Sequence, residues 1–81
     1  MVGGLPPFAE GRDWIRRASQ SRRIDRRVWY DRDDGYEYMR DPNPPRNTWH
    51  QIDVRAEQYR DLDPETGEPV AGSEGEWRSL R

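Results

Sequence analysis

The chain has 81 residues, 31% of them hydrophobic, with no cysteine and a formal net charge of -2. That length supports one small domain, and the lack of cysteine excludes a disulfide framework, a thiolate nucleophile and a cysteine metal knuckle. No apolar run approaches the ~20 residues of a membrane helix, and the opening Met-Val-Gly-Gly-Leu-Pro-Pro-Phe lacks the charged start and apolar stretch of a secretory signal, so a cytoplasmic protein with no membrane partner is expected.

All 14 basic residues are arginine. GC-rich coding accounts for such a bias, and planar guanidinium forks also suit phosphate recognition. Their distribution is uneven: residues 11–27 hold seven arginines against two acids, and residues 57–76 hold seven acids against one arginine. A basic front and an acidic back thus hide inside a near-neutral total, which permits an anionic partner at one end.

In chain order, residues 1–8 carry two glycines and two prolines and read as a flexible or loosely docked arm, followed by one domain over residues 9–81. From residue 9 to about 23, Trp14, Ile15 and Ala18 fall at helical spacing with Asp13 in the first turn, which predicts an amphipathic helix. Val28-Trp29-Tyr30, then Asp31 to Gly35, then Tyr36, Tyr38 and Met39 predict strand, Asp-Gly turn and strand. Asp41-Pro42-Asn43-Pro44-Pro45 reads as a loop, because proline offers no ladder donor. Trp49 to Tyr59 alternates Ile52, Val54 and Ala56 against Asp53, Arg55 and Glu57, the period-two pattern of one half-buried strand. Asp63-Pro64-Glu65-Thr66-Gly67 predicts a second hairpin turn, Val70 a short return strand, and Trp77 with Leu80 a last one. The expected class is α+β, a short helix followed by a twisted antiparallel sheet over residues 26–81, with Trp29 and Trp49 largely buried.

His50 is the only histidine. A lone histidine on a strand is commonly structural, but this one has Asp53 and Glu57 close behind it and Arg46 and Arg55 nearby. Metal-independent RNA cleavage needs a base for the 2′-hydroxyl, an acid for the leaving 5′-oxygen and a cation for the phosphorane, and His, carboxylate and Arg supply all three. Residues an odd number apart face opposite ways on a strand, so His50 and Asp53 meet only across a bulge or strand end. One histidine without cysteine gives no metal-ligand set, and there is no glycine-rich phosphate loop, so neither a metal nor a small-molecule cofactor is expected.

The order of these pieces resembles the colicin-type cytotoxic ribonuclease domain: an arginine-rich lead, Arg26-Arg27-Val28-Trp29-Tyr30-Asp31-Arg32-Asp33-Asp34-Gly35-Tyr36-Glu37-Tyr38, a histidine, Ile52-Asp53-Val54, and the turn at residues 63–67. The resemblance spans roughly residues 26–81. It implies cleavage of RNA or the ribosome, action in a target-cell cytoplasm, and neutralisation by an immunity or antitoxin protein. Carried over, the catalytic histidine is His50, the catalytic carboxylate Asp53 and the arginine Arg78 or Arg81; the residues themselves add Glu57 as an alternative carboxylate and Arg55 as a further arginine. Arg22, Arg23, Arg26, Arg27 and Arg46 would hold RNA. The chain departs from the family in that no glycine follows His50, and the nearest preceding acid is Asp41, beyond the proline loop. The competing expectation is a non-enzymatic interaction module, of actinobacterial or phage type, that grips a protein or nucleic acid through its arginine helix or acidic C-terminal half.

Overall fold

The computed structural model describes residues 4–41 and 48–81. Its strands are β1 (Trp14–Ala18), β2 (Arg27–Asp31), β3 (Glu37–Asp41), β4 (Thr48–Asp53), β5 (Gln58–Leu62) and β6 (Arg78–Ser79). They lie side by side in chain order as one six-stranded antiparallel sheet. The only helical element among the described residues is a 3₁₀ turn, Ser73–Gly75. The expected helix and the α+β class are therefore corrected to an all-β fold, and no helix of the described residues is long and apolar enough to cross a membrane.

The correction has a physical cause. Trp14 to Ala18 pair along β2 from Trp14↔Asp31 to Ala18↔Arg27, so the adjacent Trp14 and Ile15 point to opposite faces. Both faces of this sheet are covered, which removes the apolar–polar alternation that normally marks a strand. What remains, Trp14, Ile15 and Ala18, imitates helical spacing. Gly11, at φ 78, turns the chain just upstream where a helix would have to continue.

The register sorts side chains into two layers. Trp14, Trp29, Tyr38, Trp49 and Leu62 share one face, and Tyr38, Trp49 and Leu62 form its buried cluster, with Phe8, Trp14, Trp29 and Tyr36 packed around it. Val28, Glu37, His50, Ile52, Tyr59 and Asp61 share the other, where Val28 and Ile52 are fully buried. The N-terminal segment covers the first face: the Phe8 ring stands edge-on to Tyr38 at 5.8 Å, and Trp29 Nε1 donates to the Gly4 carbonyl at 3.0 Å. The loop of residues 19–26 covers the second, held by Ser19 Oγ donating to Glu37 at 2.6 Å and the Gln20 amide donating to it at 3.0 Å. Trp49 is buried as expected, whereas Trp29 is only half-buried beneath the Arg16 guanidinium.

The hairpin β2–β3 forms where the Asp-Gly signal put it, with the Gly35 amide donating to the Asp31 carbonyl at 2.8 Å. Gly67 closes the second turn in the same way, and its φ of 76 and a position where any Cβ would lie 2.7 Å from the Phe8 ring both demand glycine. The return after that turn is an isolated bridge, Leu62↔Pro69, and no strand begins at Val70. The single strand expected over Trp49 to Tyr59 is two strands, β4 and β5, joined by a tight turn. That turn contains no glycine: Glu57 takes the left-handed conformation at φ 54, and Asp53 Oδ1 accepts the Ala56 amide at 3.1 Å. The proline loop falls outside the described residues apart from Asp41, which ends β3.

A polar chain crosses the first face. Arg60 Nε donates to Gln51 Oε1 at 2.7 Å, Gln51 Nε2 donates to the Tyr38 hydroxyl at 2.8 Å, and that hydroxyl donates to Asp34 Oδ2 at 2.5 Å. Burial, and then the hydrogen bond to Asp34, push the Tyr38 phenol well above its ordinary value of 10.0.

Two outcomes are expected. Trp49→Ala should cost ~3–5 kcal/mol, lowering the melting temperature by more than ~10 °C; a melt within a few degrees of the parent places the core elsewhere. The raised Tyr38 phenol keeps its proton in the folded state where the unfolded chain loses it. Its contribution is complete below pH 10 and is lost as pH rises above that value. Thermal melts taken across that range should show Tyr38→Phe, although weaker at neutral pH, losing less stability with alkali than the parent.

Candidate active site

The β4–β5 register sets His50 directly opposite Asp61, and a cross-strand pair on one face is close enough to interact. His50 Nδ1 lies 2.7 Å from Asp61 Oδ1. Asp61 is 2% exposed and His50 9%, so the contact is shielded from water. A carboxylate only accepts, so Nδ1 carries the proton toward Asp61 and Nε2 is the nitrogen left to exchange one.

Arg78 completes the group from β6. It pairs in register with Tyr59, lays its guanidinium 4.5 Å from the centre of that ring, and donates NH2 to Asp61 Oδ1 at 2.7 Å and to the Glu74 carbonyl at 3.1 Å. Tyr59 in turn meets His50 edge-on at 5.7 Å. The Arg78 Nε–H is buried and has no hydrogen-bond partner among the described residues, a donor in want of an acceptor. Asp41 Oδ2 stands 3.5 Å from His50 Nε2. Beside this group runs a groove of about 260 Å³ lined by Ile24, Met39, His50, Ile52, Tyr59 and Leu80.

Of the residues the sequence nominated, His50 and Arg78 meet at Asp61, and the others lie elsewhere. Asp53 sits three residues along β4 on the opposite face and serves the turn. Glu57 accepts Arg81 NH2 at 2.6 Å and Nε at 3.0 Å, with Arg23 Nε at 3.7 Å. The hydrogen bond from Arg81, reinforced by the charges of Arg81 and Arg23, holds the Glu57 carboxyl below its ordinary value. Its visible work is to pin the C-terminus and the residue 19–26 loop to the β4–β5 turn. Arg55 is exposed at that turn, and with Asp53 it lines a different cleft. Arg22, Arg23, Arg26 and Arg27 are exposed on the β1–β2 connection and the start of β2, and Arg46 lies outside the described residues.

Asp61 is the residue that sequence reasoning missed. Its signal was present in the alternation Tyr59–Asp61 against Ile52–His50, but it becomes readable only once a turn is placed between Asp53 and Gln58. No cluster of three or more metal-ligating side chains occurs among the described residues. Compared with models of known families, with curated proteins and with solved structures, the chain has no significant match.

Asp61→Ala removes the one acceptor shared by His50 and Arg78. It should cost ~1–3 kcal/mol in urea unfolding, with Asp61→Asn costing less because its carbonyl still accepts one donor. A neutral alanine substitution means the three groups do not act as a unit.

Proposed function

We propose that the protein is a metal-independent endoribonuclease whose acid–base residue is His50. The observation that carries this reading is the 2.7 Å contact between His50 Nδ1 and the buried Asp61, which fixes the ring and makes Nε2, with Asp41 Oδ2 at 3.5 Å, the nitrogen that exchanges a proton. Arg78, already bound to the same carboxylate oxygen, brings a cation to the site.

In the reaction, His50 Nε2 takes the proton of a 2′-hydroxyl, whose oxygen attacks the adjacent phosphorus. The bond to the 5′-oxygen breaks, and the proton is returned to that oxygen. A 2′,3′-cyclic phosphate and a 5′-hydroxyl end result, with no redox change and no net consumption of protons. Asp61 holds the imidazole and balances the imidazolium formed on the way, and Arg78 counters the charge on the phosphorane. Asp53 and Glu57 take no part in this scheme. The exposed Arg22, Arg23, Arg26 and Arg27 supply affinity for the RNA backbone. The compartment of action is a cytoplasm containing ribosomal RNA, and a neutralising immunity or antitoxin protein is the partner that such an activity calls for.

The same exposed arginines favour a second reading, a module that holds an anionic partner without cutting it. In that case His50 is dispensable and binding weakens with salt through the arginine loop.

Incubating the purified protein with total RNA and with ribosomes decides between them. His50→Ala should lower the cleavage rate by ~100-fold or more without unfolding the chain, and EDTA should leave the parent rate intact. A folded His50→Ala variant that cuts fully, or a parent that cuts no RNA, establishes the binding module instead.

A further inference from the structure

A second cavity, of about 410 Å³, opens at the end of the sheet where the β2–β3 and β4–β5 turns approach each other, lined among others by Arg17, Gln20, Tyr30, Tyr36, Asp53 and Arg55. Its volume falls within the range of small-molecule sites. Several lining groups are already committed. Arg17 NH1 lies 2.9 Å from the buried Glu37, its guanidinium covers Tyr30 at 4.3 Å, and Asp34 accepts Arg12 and Tyr38. Asp53 and Arg55 are different. Asp53 uses only Oδ1, on the Ala56 amide, and among the described residues nothing takes its other oxygen or the Arg55 guanidinium.

A two-oxygen acceptor and a planar donor fork on one short turn, beside two tyrosine rings, form a chemically specific set. We propose that this cleft binds a guanine base of the RNA substrate, with Asp53 reading the base's paired N–H donors and Arg55 reading its acceptor edge.

Guanine is the base that this set satisfies best. Its N1–H and N2–H₂ are adjacent donors that one carboxylate accepts together, and its O6 and N7 are the acceptors that an arginine fork matches. Adenine turns the N1 lone pair toward the carboxylate, which repels it. Cytosine and uracil offer a carboxylate one donor beside an acceptor. Tyr36 and the Arg17-covered Tyr30 line the cleft, a wall of aromatic ring and guanidinium of the kind on which single-stranded bases stack.

The inference rests on the ribonuclease reading and extends it from chemistry to sequence preference. Tyr30 is separated from the β4 strand by β3 alone, through Tyr30↔Glu37 and Glu37↔Ile52, and His50 lies two residues along β4 on the same face. Two strand spacings and a two-residue step put Tyr30, at one wall of the cleft, on the order of 12 Å from His50, with Asp53 reaching the cleft from the opposite face. At ~3.4 Å or more per nucleotide, a guanine seated there lies a few nucleotides from the cut.

The test uses the full-length His50→Ala protein, so that binding is read without cleavage. Guanosine, adenosine, cytidine and uridine 5′-monophosphates are titrated in turn, followed by tyrosine fluorescence and by NMR shifts of the residue 53–57 turn. Guanosine monophosphate should bind on the order of tenfold or more tighter than the other three. Asp53→Asn, which keeps the oxygen that caps Ala56, and Arg55→Ala should each abolish that preference while the fold is retained. Equal affinity for all four, no binding of guanosine monophosphate, or a preference that survives Asp53→Asn would overturn the proposal. A parent that binds guanosine monophosphate in this way but cuts no RNA leaves the guanine site standing and removes only the role of His50.

Discussion

Three buried carboxylates hold this molecule together. Asp31 and Glu37 are fully buried and Asp61 is 2% exposed, and each clasps a segment that would otherwise leave the sheet. Asp31 takes Arg12 at 2.6 Å and ties down the N-terminal segment. Glu37 takes Arg17, Ser19 and the Gln20 amide, fastening the loop over the second face. Asp61 takes Arg78 together with His50 and brings in the C-terminus. Burying a carboxylate is costly unless its lone pairs are met, and here each is met by more than one donor. The result is less a gain in stability than a choice of arrangement: only one placement of each segment satisfies the buried charge.

The same economy governs the hydrophobic side of the fold. With 31% hydrophobic residues the chain cannot cover its aromatic rings with aliphatic side chains alone. Arginines complete the covering, Arg16 on Trp29, Arg17 on Tyr30, Arg60 on Trp77 and Arg78 on Tyr59. Each guanidinium gains by cation–π attraction while its alkyl stem shields the ring. Lysine would not serve these positions equally, since it presents no flat face to stack. The arginine-only composition, which GC-rich coding is enough to account for, thus also has structural work at a third or so of its positions.

How much of this was legible follows from where local chemistry is decisive. The β2–β3 hairpin and the Asp63–Gly67 turn were readable because Asp and Gly occupy positions only such turns require. Strand β1 was not, because a strand covered on both faces loses its alternation and Trp14-Ile15-Arg16-Arg17-Ala18 then looks helical. The β4–β5 turn was hidden because Glu57, not glycine, adopts the left-handed backbone, held there by the Leu80 amide on its carbonyl and by Arg81 and Arg23 on its carboxylate. That single missed turn accounts for the missed Asp61. Read as one strand, residues 49–59 end before Asp61 can face His50; folded into two, they make the two residues neighbours.

Placing that turn also separates residues that the linear spacing had grouped. His50, Asp53, Arg55 and Glu57 lie within eight positions of one another, yet the pleat sends Asp53 to the face opposite His50, and the turn carries Arg55 and Glu57 past the end of the sheet. Glu57 is taken up by Arg81 and Arg23, whereas Asp53 and Arg55 line a separate cleft and keep hydrogen-bonding capacity that no described residue takes. One strand and its following turn therefore contribute to two places, a buried His–Asp–Arg group suited to moving a proton and an open Asp–Arg pair suited to recognising a flat, polar ligand. The net charge of -2 gives the whole molecule no attraction for an anionic ligand, so any such attraction falls to local groups, the exposed Arg22, Arg23, Arg26 and Arg27 and this Asp–Arg pair.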